Sequence, residues 1–158
     1  DSGVDGEVCI RGDNVTNGYE NNEETNKTAV INGWFRTGDQ GHFDDEGYLK
    51  ISGRLKEIIN RGGEKVSPLE VDNILMEHEA VEQVATFAVK DNLLGEAIGV
   101  AIVLKSGIDC KEIDIKNYAS KHLADFKIPK YIRFLEEIPK GATGKLQRIG
   151  LAEKLGLE

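Results

Sequence analysis

Apolar and polar positions follow two textures along the chain. From Glu7 to Arg11 they alternate singly, as in a half-buried strand. Trp34–Thr37, Gly41–Phe43 and Tyr48–Ser52 read as further short strands, with Asp44-Asp45-Glu46-Gly47 turning between the last two. Asn17-Gly18-Tyr19 is a turn, and Asn22 is placed to cap a short polar helix running to Val30. Past Arg54 the apolar runs lengthen. Val81–Lys90 and Ala97–Lys105 read as central strands, and Tyr131–Leu135 as a third. Glu57–Asn60 and Glu64–Val66 flank Arg61-Gly62-Gly63 as a hairpin. Pro68 suits the first turn of a helix to about His78, with Ser67 and Glu70 as a capping box and Val71, Ile74 and Leu75 as its buried stripe. Lys111–Leu123 is amphipathic, with Ile115, Tyr118, Ala119 and Leu123 on one side, and Leu146 to Leu155 reads as a last helix. These elements predict an α+β fold. A small domain with a β-hairpin, a three-stranded sheet and helices follows a mostly β segment.

Composition narrows the picture. The 158 residues are 39% apolar and 30% charged, ordinary for a folded water-soluble chain. No apolar run approaches the ~20 residues of a membrane span, and Asp1-Ser2-Gly3 does not open a signal peptide. The net charge of −8 argues against a nucleic-acid partner. Residues 1–53 hold 4 Lys/Arg against 11 Asp/Glu, whereas residues 54–158 hold 16 against 17. A domain boundary is therefore expected at 53/54, and an anionic ligand sits more easily with the second part. Cys9 and Cys110 are too far apart for a Cys-x-x-Cys and read as buried or half-buried thiols in a reducing compartment. His42, His78 and His122 read as isolated surface or helix residues, and no metal site is expected.

Three segments carry candidate chemistry. Pro139-Lys140-Gly141-Ala142-Thr143-Gly144-Lys145 invites a P-loop reading but fails it. Pro139 and Lys140 stand where the first glycine belongs, and Leu146 stands where Ser or Thr must ligate magnesium. What survives is a lysine after a glycine loop, able to place a point charge on phosphate oxygens. In Phe35-Arg36-Thr37-Gly38-Asp39, a carboxylate closes a strand and can accept strong hydrogen bonds from a diol. In Gly53-Arg54-Leu55-Lys56-Glu57 and Arg61-Gly62-Gly63-Glu64-Lys65, cations flank paired glycines that permit close backbone approach.

Taken in chain order and at this spacing, with Gly53–Glu57 and Arg61–Lys65 as one stretch, the three segments resemble the C-terminal part of the adenylate-forming enzymes: acyl-CoA synthetases, beetle luciferases and peptide-synthetase adenylation domains. The resemblance runs from Gly6 to about Leu155. Asn14-Val15-Thr16, Ile59–Pro68 and Gly144-Lys145-Leu146-Gln147-Arg148 look most like the oxalyl-CoA and fatty-acyl-CoA synthetase subgroup. The resemblance implies that residues 1–53 end a large N-terminal adenylation domain and that 54–158 form its mobile C-terminal domain. It makes Lys145 the catalytic lysine bridging the acid's carboxylate and the α-phosphate of ATP. Asp39 and Arg54 become nucleotide-ribose ligands, and Lys56 the hinge. Gly62 and Gly63 would line the pantetheine tunnel, with Arg61 or Lys65 meeting CoA phosphates. ATP, CoA and a carboxylic acid are the implied substrates, with Mg2+ bound mainly by the absent large domain.

Two other readings compete. A carrier-protein-loading adenylation domain would use a phosphopantetheinyl arm in place of free CoA. A non-catalytic interaction module would keep the fold but needs none of Asp39, Arg54 and Lys145. The expected compartment is the cytoplasm. Leu157-Glu158 has the form of a cloning scar, in which case a peroxisomal address could lie in the native C-terminus beyond it.

Overall fold

The computed structural model describes residues 3–16, 18–141 and 144–157. The turn expected at Asn17-Gly18-Tyr19 and the loop positions Ala142 and Thr143 fall partly or wholly outside these. The chain divides into two compact units, residues 1–56 and 57–158.

The first unit is built on a four-stranded antiparallel sheet. Strand β3 (Trp34–Phe43) lies at its centre, flanked by β1 (Gly6–Ile10), β2 (Val30–Ile31) and β4 (Leu49–Arg54). The two short strands expected around Trp34 and Gly41 are one ten-residue strand. A register shift at Gln40/Gly41 and the positive φ of Gly38 bend it without ending the ladder. Helix α1 (Glu23–Ala29) starts as expected, with Asn22 Oδ1 accepting from Thr25 N at 3.2 Å. Cys9 is exposed, contrary to expectation, because its strand stands near the sheet edge with no layer over that position.

The second unit holds a five-stranded sheet. Long strands β7 (Val81–Asp91) and β8 (Gly95–Leu104) pair antiparallel along their whole length. Strand β9 (Tyr131–Phe134) lies parallel to β8. The hairpin β5 (Ile59–Arg61) and β6 (Glu64–Val66) is not a separate piece, as the sequence suggested. It joins β8 through the Arg61↔Gly95 pairing, and Gly62 N donates to Leu94 O at 2.8 Å.

Both faces of this sheet are covered, which is why β7 and β8 read as continuous apolar runs. On one face, α2 (Pro68–Met76) and α3 (Glu112–His122) bring Val71, Leu75, Ile115 and Ala119 against Val84, Ile98, Val100 and Ile102. On the other, Ile138, Leu151 and Leu157 close over Ala85, Phe87, Val89 and Ala101. Full burial of a side chain such as Phe87 or Leu75 stabilises by about 1.5–3 kcal/mol.

Two details depart from the sequence reading. The last helix is a single turn, α4 (Leu151–Lys154), because Leu146 is drawn into a bridge with Lys140 and Gly150 takes φ +76°. The start of α2 shows no capping hydrogen bond from the Ser67 side chain, and the Glu70 carboxylate instead accepts from Lys127 Nζ at 2.5 Å.

Candidate functional site

Strands β3 and β4 place Asp39 directly opposite Arg54. Arg54 Nε donates to Asp39 Oδ1 at 2.8 Å, and both side chains remain open to solvent. Thr37 fixes the approach to Asp39. Its hydroxyl donates to Val8 O at 2.8 Å and accepts from Asp39 N at 3.0 Å. An exposed pair of this kind contributes at most about 1 kcal/mol to stability. It orients the Asp39 carboxylate on the strand.

The hairpin tip is Gly62-Gly63, both at positive φ (61° and 97°), as two-residue turns of the I′ kind demand. Gly63 N donates to Asn60 Oδ1 at 3.2 Å. A Cβ on Gly62 would meet Leu94 Cδ2 at 3.1 Å, so the tip is thin by necessity. Arg61 is half-buried and donates from Nη1 to Phe126 O at 3.1 Å, whereas Lys65 is exposed. Among the described residues the tip thus offers backbone and the exposed cation Lys65, a surface suited to a slender anionic ligand.

Lys145 closes a tight loop. Gly141 N donates to Lys145 O at 2.8 Å, Gly144 N donates to Gly141 O at 2.9 Å, and Lys140 bridges to Leu146. The Lys145 side chain is exposed. Lys56 is exposed too, in the 3-10 turn Leu55–Glu57, where the division between the units falls. Asp39 and Arg54 therefore meet directly. Arg61, Gly62, Gly63 and Lys65 share one hairpin, and Lys145 stands on a loop of its own. Among the described residues no three His, Cys, Asp or Glu side chains gather to hold a metal ion.

One constellation escaped the sequence reading. Asp72, on α2, is almost fully buried, and its Oδ1 accepts from Thr86 N at 2.7 Å. Its Oδ2 meets Arg148 Nη2 at 2.7 Å, and Arg148 Nε meets Glu57 Oε2 at 3.1 Å. Burial pushes the Asp72 carboxyl above its usual range, and the Arg148 charge opposes that rise. The signal was there: Asp72 lies four residues after Pro68 and three before Leu75, on the buried stripe. The histidines are also less isolated than expected. His78 and His122 both pack on Tyr118, at ring separations of 4.9 and 4.5 Å, and His42 Nδ1 lies 2.8 Å from Asp5.

Residues 70–145 match the AMP-binding enzyme C-terminal domain. Over 143 residues the chain is 52% identical to an oxalate–CoA ligase of Arabidopsis thaliana, covering 90% of this chain and 28% of that protein. It is 50% identical over 151 residues to a protein described as a probable CoA ligase of Humulus lupulus, covering 96% and 29%. Among solved structures it superimposes on the o-succinylbenzoate CoA synthetase of Bacillus subtilis in complex with its acyl-adenylate intermediate. There the TM-score is 0.88 and the identity 32%, over 96% of this chain and 31% of that one. The chain belongs to the adenylate-forming, AMP-binding enzymes, as their C-terminal part. It spans less than a third of the length of the curated relatives it matches.

Proposed function

We propose that the full-length protein carrying this chain is an AMP-forming acid–CoA ligase. A carboxylic acid attacks the α-phosphate of ATP, giving an acyl-adenylate and pyrophosphate. The CoA thiol then displaces AMP. The observation that carries this reading is the pairing of two devices on one compact unit: an exposed Lys145 on a closed glycine loop, and a thin Gly62-Gly63 hairpin. In this reading Lys145 supplies positive charge where negative charge develops in the first step. Asp39 and Arg54 hold the ribose. Residues 54–158 then rotate about Lys56, withdrawing Lys145 and bringing the hairpin to the thioester-forming position. Lys65 is the cation best placed to meet CoA phosphate, since Arg61 is engaged by Phe126 O.

Residues 1–53 are, in the same reading, the end of the large adenylation domain. Support comes from the sheet of the first unit, which leaves Trp34, Phe43, Tyr48, Leu49 and Ile51 exposed, an apolar surface that calls for a covering layer. Two free thiols suit the reducing cytoplasm as its compartment.

The test is acid-dependent pyrophosphate release by the full-length enzyme. Oxalate, trans-cinnamate, 2-succinylbenzoate and octanoate are supplied in turn, with and without CoA. Release that requires an acid and yields thioester with CoA supports the ligase. Lys145→Ala should lower it by roughly 100- to 1,000-fold, the usual loss when one charge-stabilising group is removed. The 158-residue chain alone should make no thioester. Release indifferent to Lys145 would sink the reading and favour an interaction module. Transfer to a carrier protein but not to free CoA would favour the carrier-loading alternative.

A further inference from the structure

We infer that Arg148 is the positioning residue for Lys145, tying the end of its loop to the start of the second unit beside the hinge; this rests on the role proposed for Lys145 above. The side chain of Arg148 is only 14% exposed and uses three of its nitrogens on three different elements. Nη2 meets Asp72 on α2 at 2.7 Å, Nη1 donates to Thr86 O on β7 at 3.1 Å, and Nε meets Glu57 at 3.1 Å. Glu57 is the residue after Lys56, and Arg148 lies three residues after Lys145. One guanidinium therefore fixes both the exit of the Lys145 loop and the entry of the polypeptide into the second unit.

The chemistry argues for placement over simple packing. An apolar trio of similar volume would hold these elements as stably as a buried ion pair, since removing charges from water costs about as much as their attraction returns. What the fork of an arginine adds is direction. Its donors accept only one arrangement of Asp72, Thr86 and Glu57, and a lysine, as a point charge, does not impose it. Asp72 is itself held by the Thr86 amide, so the anchor point is part of the sheet. With Leu146 bridged to Lys140 and Arg148 held by its three partners, the segment just after Lys145 is anchored at two points. The Lys145 side chain then starts from a defined point on the unit that carries it.

The experiment uses the full-length enzyme and separates the two half-reactions. Arg148→Lys keeps a charge for Asp72 but loses the fork. It should lower kcat for acid-dependent pyrophosphate release by roughly 10- to 100-fold, the scale of a displacement of about 1 Å in a catalytic group. KM for ATP should stay within about twofold, as should the rate of thioester formation from preformed acyl-adenylate and CoA, because that step does not use Lys145. Glu57→Gln removes the negative charge from one of the three contacts, at a partly exposed site, while leaving an oxygen able to accept from Arg148. It should shift the same half-reaction in the same direction by less, and it carries the test if Arg148→Lys does not fold. Equal losses in both half-reactions, a loss confined to transfer, or no loss in either would overturn the inference. Lys145→Ala run alongside keeps the two ideas apart. If it leaves release intact, the role of Lys145 falls; if it abolishes release while Arg148→Lys does not slow it, only the role of Arg148 falls.

Discussion

Asp91 shows how one side chain can hold a turn. Its Oδ1 accepts from Leu93 N and Leu94 N, both at 3.0 Å, and its Oδ2 from Lys130 Nζ at 2.7 Å. The Lys130 bond, with the two amides, lowers the carboxyl from its usual 3.8 to about 2. The folded-state value lies below the unfolded one. Asp91 therefore stabilises the fold fully above pH 3.8, and that contribution disappears as pH falls through about 2. Asp91→Asn should lower the urea midpoint of unfolding at pH 7, and the gap from the parent chain should close between pH 4 and pH 2. A gap that persists at pH 2 would mean that Asp91 acts through shape alone. At this scale the sequence was only partly legible. Pairings between neighbours, such as Asn22 with Thr25, follow from spacing. Asp72 with Arg148 or Glu70 with Lys127 join positions 76 and 57 residues apart, and only the packed elements bring them together.

Among the elements, β8 carries most of the second unit, pairing with β5, β7 and β9. Gly99, opposite Phe87 in its register, leaves room for the side chains of the neighbouring strand β7. A Cβ there would lie 2.7 Å from both Phe87 Cε2 and Val89 Cγ2. Gly99→Ala should destabilise the chain by about 1–3 kcal/mol, the usual cost of overpacking. It should appear as a lower urea midpoint with unchanged slope. The long elements were readable because both covered faces of β7 and β8 favour apolar residues along their central stretches, and α2 and α3 show one buried stripe each. The segment Leu146–Gly150 was not. Its residues suit a helix, but the bridge to Lys140 and the Arg148 anchor hold it out of one, so tertiary contacts override a weak local preference.

Across the whole molecule, burial is unequally shared. The cores lie in the second unit, and the first leaves large side chains such as Phe43 and Tyr48 more than half exposed. Native-state hydrogen exchange on the 158-residue chain should therefore find its slowest amides on β7 and β8. Those of the first unit should exchange well before global unfolding. Uniform protection across both units would contradict that expectation. The order of elements, the mixed α and β character, the glycine hairpin and the lysine loop were all determined by the sequence. Each depends on periodicity, turn chemistry or a short motif, which are properties of neighbouring residues. The docking of the hairpin onto β8, the Asp39–Arg54 pair as an actual contact, and the convergence of Glu57, Asp72 and Arg148 were decided only by the tertiary structure. Such contacts depend on where distant segments are brought by burying apolar surface, and no local pattern records that destination.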